Sequence, residues 1–202
     1  MKGLGDDSDE YLMARVAHGQ PELLERLLRR HAGPLLTFLR RMAGDRHASE
    51  ELFQEVFLTV WLKRHQYEYP RPFKPWLYAI ALNKCRAVFR VKPRPIVPLV
   101  GEEAAPGVTP EESAQAAEMA ALVDEAVTRL PPQQRAVVVL RVWEGLPYAR
   151  IAELVGCGEA TVRSHMHHGL AALRQHLGPR LGLTGEGARA PGSDFPGRSD
   201  FP

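Results

Sequence analysis

The sequence predicts an all-α protein: two small helical domains joined by an extended, proline-rich linker. Three observations carry that expectation. Apolar residues recur at spacings of three and four, without the period-two alternation of a half-buried strand. Between Lys92 and Pro110 that pattern stops, and Pro93, Pro95, Pro98, Pro106 and Pro110 appear with Gly101 and Gly107. Five prolines have no place inside helices or central strands, so this stretch marks a domain boundary. A length of 202 residues, with 17 Pro and 17 Gly concentrated in particular stretches, suits two small cores better than one large one. The predicted limits are residues 1–91 for the first domain, 92–112 for the linker, 113–178 for the second domain and 179–202 for a disordered tail. That tail is rich in Gly, Pro and Ala and ends in a duplicated Ser-Asp-Phe-Pro.

In the first domain the spacing predicts helices over about Asp9–His18, Pro21–Met42, Ala48–His65 and Phe73–Arg90. Pro21 followed by Glu22 suits a helix start, and Gly33-Pro34 either kinks the second helix or divides it. The third helix has a broad apolar face: Leu52, Val56 and Val60 on one row, Phe53, Phe57 and Trp61 on the next. Its opposite face carries Glu50, Glu51, Gln54 and Glu55, which is either solubilising surface or a docking face for a basic partner. A Pro-punctuated loop, His65 to Pro75, is expected to expose Tyr67 and Tyr69. The helix after it carries Asn83, Lys84, Arg86 and Arg90. Exposed aromatics beside a cationic helix suit single-stranded nucleic acid, with bases stacking on rings while cations follow phosphates. For Phe73 and Trp76 the plain reading as core is strong; it is weaker for Tyr67 and Tyr69, which lie in a polar loop.

The second domain closes on a helix, turn and helix. Leu146-Pro-Tyr-Ala-Arg-Ile-Ala-Glu-Leu-Val155 is a short amphipathic segment with Leu146, Ile151, Leu154 and Val155 inward. Gly156 is the left-handed residue expected just past a helix end. The helix from about Glu159 to Leu177 has Val162, Met166, Leu170, Leu173 and Leu177 as its buried row, which turns Arg163, Ser164 and His167 outward. In a helix-turn-helix that second helix enters the major groove, where Arg takes guanine bidentately and Ser and His serve as adaptable partners. An ordinary helical hairpin with a solvated face is the plainer alternative. His165 and His168 offer two metal ligands at most, with no carboxylate or thiolate nearby, so no metal is expected.

Composition narrows the function classes. Formal net charge is +2, yet Glu68 to Glu102 encloses no acidic residue and holds Arg71, Lys74, Lys84, Arg86, Arg90, Lys92 and Arg94. Such a block is either the footprint of a polyanion or a solvated basic face. Cys85 and Cys157 sit apart in apolar surroundings, which reads as reduced thiols. The acidic, polar N-terminus is no signal peptide, and no apolar run is long enough to span a membrane.

At Ala48-Ser-Glu-Glu-Leu-Phe-Gln-Glu-Val-Phe-Leu-Thr-Val-Trp61 the chain resembles region 2.2 of the extracytoplasmic-function sigma factors of bacterial RNA polymerase, within the sigma-70 family. Phe73 to Arg90 is similar to regions 2.3 and 2.4. Leu130-Pro-Pro-Gln-Gln-Arg135, Val137-Val-Val-Leu-Arg141 and Glu144-Gly-Leu-Pro-Tyr148 resemble region 4.1, and Ile151-Ala-Glu-Leu-Val-Gly-Cys157 with Thr161-Val-Arg-Ser164 resembles region 4.2. The ordered set is what makes the resemblance specific. It implies a cytoplasmic, non-enzymatic transcription-initiation subunit without cofactor. Its first domain would bind core polymerase through Glu51, Gln54 and Glu55, and minus-ten DNA through Tyr67, Tyr69, Asn83, Lys84, Arg86 and Arg90. Its second would read the minus-thirty-five element through Arg163, Ser164, His167 and His168. An anti-sigma factor is implied as a further partner, with no membrane insertion of the chain itself.

Three departures from the family pattern stand out. Ala87 occupies a place where Asp is usual, His165 and His168 stand where Arg is common, and Gly158-Glu-Ala160 replaces a Pro-x-Gly helix start. Rival readings fit less well. A stand-alone repressor needs a ligand pocket or receiver domain, a metal enzyme needs acidic ligands, and a protein-only adaptor has no use for the cationic strip.

Overall fold

The computed structural model describes residues 7–91 and 110–182, with side chains throughout except at 89–91 and 110–113. Among these residues there is no strand. The first domain contains α1 (Asp9–Ala17), α2 (Leu23–Ala43), α3 (Arg46–Leu62), a 3-10 turn at Arg64–Gln66 and α4 (Phe73–Val91). The second contains α5 (Pro110–Thr128), α6 (Pro132–Val142), α7 (Tyr148–Val155) and α8 (Glu159–Leu177). The predicted helices are all present, with ends displaced by a few residues. The predicted linker is shorter at its C-terminal end, because Pro110 to Glu112 open α5. Proline is tolerated there because first-turn N–H groups have no intrahelical acceptor. The rest of the predicted linker, 92–109, and the tail from 183 onward lie outside the described residues.

Local chemistry sets the helix limits. Ser8 caps α1 by accepting from the Tyr11 N–H, and Asp45 caps α3 by accepting from the Ala48 N–H at 2.6 Å. Gly44 ends α2 at φ 68°, its N–H donating to the Arg40 carbonyl. Pro34 neither divides α2 nor ends it. A proline clashes with the Cβ of the residue before it, and Gly33 has none. The buried row Leu27, Leu35, Phe38, Leu39 and Met42 then holds the helix against α1, α3 and α4. Phe38 meets Tyr78 of α4 edge to face, with ring centroids 5.0 Å apart.

In the second domain α6 is buried all round, from Ala136 to Leu140. A helix with no solvated stripe over that stretch must be covered on more than one side. Here α7 and α8 cover it from its own domain and α2 covers it from the other. The Val137-Val-Val139 run is poor helix material, since branched side chains lose χ1 freedom against the preceding turn. Burial outweighs that cost.

The two domains therefore pack together, α2 on α5 and α6, and α4 on α7. Charged groups cross the boundary. Arg41 Nε donates to Asp124 Oδ1 at 2.7 Å, both side chains nearly buried, and the Arg41 guanidinium lies 4.2 Å from the Trp143 ring centroid. Arg135 donates to the Met42 carbonyl at 2.7 Å and to those of Thr128 and Leu130, and burial lowers the pKa of its guanidinium. Lys74 Nζ donates to the Glu144 carbonyl at 2.9 Å and pairs with its carboxylate at 3.1 Å. A Cβ on Gly44 would sit 3.3 Å from the Thr128 methyl, so the Thr128 side chain packs directly against the end of α2.

Candidate nucleic-acid interface

The helix-turn-helix is α7, the Gly156 turn and α8. Gly156 has φ 80° and donates to the Ala152 carbonyl at 2.8 Å. Val162, Gly169 and Leu173 bury one side of α8, with Met166, Leu170 and Leu177 partly covered beside them. Arg163, Ser164, His167 and His168 are all exposed. Spacings of one and four place these four residues on one helical face. Arg163 is held in place: Nη2 donates to Glu159 Oε2 at 3.1 Å, and its guanidinium lies 4.9 Å from the Tyr148 ring. Arg141 lies at the same distance from that ring. Tyr148 thus positions the first basic side chain of α8, a role the sequence pattern did not announce. Among the described residues no group of three His, Cys, Asp or Glu could hold a metal ion.

In the first domain the expectations divide. Glu51, Gln54 and Glu55 are exposed on α3. On the same face, one and two turns further, Leu58 and Leu62 are 56% and 65% exposed. The sequence reading missed these two. The signal was there, since both fall outside the two apolar rows. Asn83 is exposed on α4, whereas Lys84 pairs with Glu55 across α3 and α4 at 3.1 Å. Arg86 is committed to the other domain, donating to the Leu154 and Val155 carbonyls at 3.3 and 2.8 Å. The Arg90 side chain lies outside those described.

Tyr67 corrects the sequence expectation of two exposed tyrosines. It is 7% exposed, packs edge-on against Phe73 and Trp76, and donates its hydroxyl to the Arg71 carbonyl. Burial, with the nearby Glu10 carboxylate, raises its phenol well above the ordinary range. An aromatic in a polar loop looks exposed in sequence, but here the loop folds back over the start of α4. Tyr69, at 50% exposed, is the tyrosine the loop does present. Phe73 and Trp76 are core, as their plainer reading held. Cys85 is fully buried, and burial pushes its thiol up to about 12.

Residues 27–94 match the family described as Sigma-70 region 2, and residues 120–173 match Sigma-70, region 4, together more than half of the chain. SigL, an extracytoplasmic-function RNA polymerase sigma factor of Mycobacterium tuberculosis, is 30% identical over 85% of this chain and 99% of its own. The chain belongs to the extracytoplasmic-function sigma factors. Other members of this family are similar: SigW of Bacillus subtilis is 30% identical over 68% of this sigma factor and 79% of its own length. SigE of Mycolicibacterium smegmatis is 32% identical over 81% of this chain, which spans 65% of SigE. Among solved structures, CnrH in complex with the cytosolic domain of CnrY superposes with a TM-score of 0.66 at 23% identity, covering 86% of this sigma factor and 99% of CnrH. RpoE in complex with the anti-sigma factor NepR from Bartonella quintana gives 0.62 at 20% identity, over 76% and 96%. These two show the same fold. No described helix is long and apolar enough to cross a membrane.

Proposed function

We propose that this sigma factor directs core RNA polymerase to promoters through three faces. The observation that carries the reading is the outward face of α8, where Arg163, Ser164, His167 and His168 stand free of the core beside a Gly-turned α7. That face reads the minus-thirty-five element in the major groove. The α3 face of Glu51, Gln54 and Glu55, extended by Leu58 and Leu62, docks on core polymerase: its acids meet a basic partner and its leucines supply the desolvated centre that such a contact needs. The wall of α4 with Asn83 and Arg86, joined by Tyr69 and by Lys84 and Arg90, takes the unpaired minus-ten strand.

Residues 1–91 form the first functional unit and 113–178 the second. The chain performs no covalent chemistry of its own; strand opening draws on its preference for the melted state. A cytoplasmic location fits this role. An anti-sigma protein is a fitting regulator, since the similar RpoE is seen in complex with the anti-sigma factor NepR. Transcription from genomic DNA fragments with purified core polymerase, with and without the chain, tests the proposal. Discrete new start sites support it, and unchanged transcripts overturn it.

A further inference from the structure

Where the loop before α4 and α4 itself face α7, a polar cleft of about 310 Å³ lies between the domains. Arg71, Asn83 and Arg86 line it from the first domain, and Arg150 and Glu153 line it from α7. Glu153 is the only acid among its described lining residues, so three guanidinium groups share the cleft with one carboxylate. Like charges gathered out of bulk water repel one another, which favours an anion between them.

The three arginines are held in different ways. Arg86 donates to the Leu154 and Val155 carbonyls at 3.3 and 2.8 Å and to Asn83 Oδ1 at 3.5 Å. A guanidinium has five N–H donors, so these contacts leave it able to bind a further acceptor. All of these partners are neutral. Arg150 Nη1 pairs with Glu153 Oε2 at 2.7 Å, within α7. The Arg71 backbone is fixed on both sides: its N–H donates to the Glu68 carbonyl at 2.8 Å, and its carbonyl accepts the Tyr67 hydroxyl. Its side chain is exposed, and among the described residues no carboxylate pairs with it. Asn83 Oδ1 is taken by Arg86, so what that side chain still offers is its amide N–H pair. Apart from Glu153, the side-chain capacity left open is for donating hydrogen bonds.

That combination selects a compact anion with several acceptor oxygens. Phosphate fits: its oxygens take guanidinium forks in pairs, and its charge of about −2 answers the excess of arginine. The rest of the lining is apolar, with Pro75 and Ala79 on one side and Leu154 on the other. An inorganic ion would leave those surfaces facing water, whereas an organic phosphate covers them. The volume lies at the lower end of small-molecule sites, about 300–1,000 Å³, which limits the ligand to about the size of a mononucleotide.

We propose that this interdomain cleft is a binding site for a small organic phosphate, gripped by Arg71, Asn83 and Arg86 from one domain and by Arg150 from the other. A merely solvated basic face would spread its charges over an open surface. Here they converge across a gap, and only a ligand within it meets both walls. Asn83 and Arg86 also belong to the wall assigned to the minus-ten strand. The site stands apart from that assignment, because Arg150 lies outside it and the test contains no DNA.

Isothermal titration calorimetry of the full chain compares adenosine monophosphate with inorganic phosphate and adenosine. Arg71→Gln, Arg150→Gln and Glu153→Gln each change an exposed side chain, and thermal melts check that the variants fold. Adenosine monophosphate should bind saturably with a Kd below about 1 mM, inorganic phosphate more weakly and adenosine not measurably. Each arginine variant should weaken binding at least about tenfold, as for a lost charge-assisted hydrogen bond. Glu153→Gln should tighten it, because the phosphate loses a like-charged neighbour.

No saturable binding of adenosine monophosphate overturns the site. Adenosine binding as tightly as its phosphate would make the cleft an apolar pocket and overturns the ligand class. Full affinity in Arg150→Gln would place the anion on the first domain alone and overturns the bridging. Equal losses in all three variants would report damage to the cleft in place of lost phosphate contacts, and overturn the assignment.

Discussion

Gly169 of α8 lies so close to Val138 of α6 that a Cβ on it would sit 2.7 Å from Val138 Cγ2. The α6–α8 contact is the spine of the second domain, and it fixes how α8 projects toward DNA. Gly169→Ala brings two opposed effects. Alanine is the better helix former by about 1 kcal/mol, whereas overpacking a fitted contact costs about 1–3 kcal/mol. Since the clash is with a branched side chain on an all-round buried helix, strain should win, with a net loss of about 1 kcal/mol. Urea unfolding measures it. Adding Val138→Ala should show a favourable coupling, the two costs together being less than their sum. A stabilised Gly169→Ala would mean that the helices part freely.

The docking face can be tested without disturbing the core. Leu58→Arg changes an exposed side chain only, so stability should move by no more than about 0.5 kcal/mol; Gln54→Ala with Glu55→Arg also breaks the surface pair with Lys84 and should cost no more than about 1 kcal/mol. Affinity for core polymerase, measured by fluorescence anisotropy, should fall at least about tenfold for Leu58→Arg, equivalent to about 1.4 kcal/mol. Unchanged affinity in both variants would return this face to plain solubilising surface.

What the sequence disclosed and what it hid follow a physical line. Helix positions were legible because they depend on local spacing, caps and prolines: Gly156, Val162 and Leu173 lie where the pattern put them. Tyr67 was misplaced because its burial depends on a loop folding back over Phe73 and Trp76, which no spacing rule encodes. Arg86 was read as free for DNA. Its partners, two backbone carbonyls 68 and 69 residues away, carry no side-chain signature. The all-apolar Ala136–Leu140 stretch was the available sign that α6 is covered from both domains.

Asp9 gives a pH signature. Burial alone would raise its carboxyl pKa, but hydrogen bonds from Arg30 at 2.8 Å and with His31 at 2.7 Å outweigh it and hold the value below the ordinary 3.8. A carboxyl depressed on folding stabilises above its unfolded pKa and loses that contribution as pH falls through the folded one. Asp9→Asn should therefore cost about 1 kcal/mol at neutral pH, a modest figure because the site is partly solvated. The gap should close as pH drops below about 4. Urea midpoints for both proteins across that range provide the measurement. A gap that is flat or widens in acid would assign the loss to packing.

The two loop tyrosines should now behave differently. Tyr69→Ala should weaken binding to strand-separated promoter DNA by about 1–3 kcal/mol while leaving duplex binding unchanged, since a base can stack only once unpaired. Tyr67→Phe keeps the packing against Phe73 and Trp76 and removes one hydrogen bond, so it should lower stability by about 1 kcal/mol and leave DNA binding alone. Permanganate reactivity of the open complex, with thermal melts, distinguishes them. A DNA defect in Tyr67→Phe with normal stability would restore it to the interface.

Tyr148 and Arg163 should act as one unit at the major groove. Arg163→Ala should cost about 1–3 kcal/mol and relax preference at one or two upstream positions, as expected for a base-edge contact. Tyr148 touches no DNA in this reading; it stations the guanidinium, lying 4.9 Å below it, while Glu159 steadies the other side. Tyr148→Leu keeps an apolar side chain at the start of α7 but removes the ring, and should produce a smaller loss at the same upstream positions. The deciding measurement is the double variant. If Tyr148 works only through Arg163, then Tyr148→Leu adds no further loss of DNA affinity once Arg163 is alanine. Additive losses would show instead that the ring supports the whole of α7, and the upstream preference would then be set by Arg163 alone.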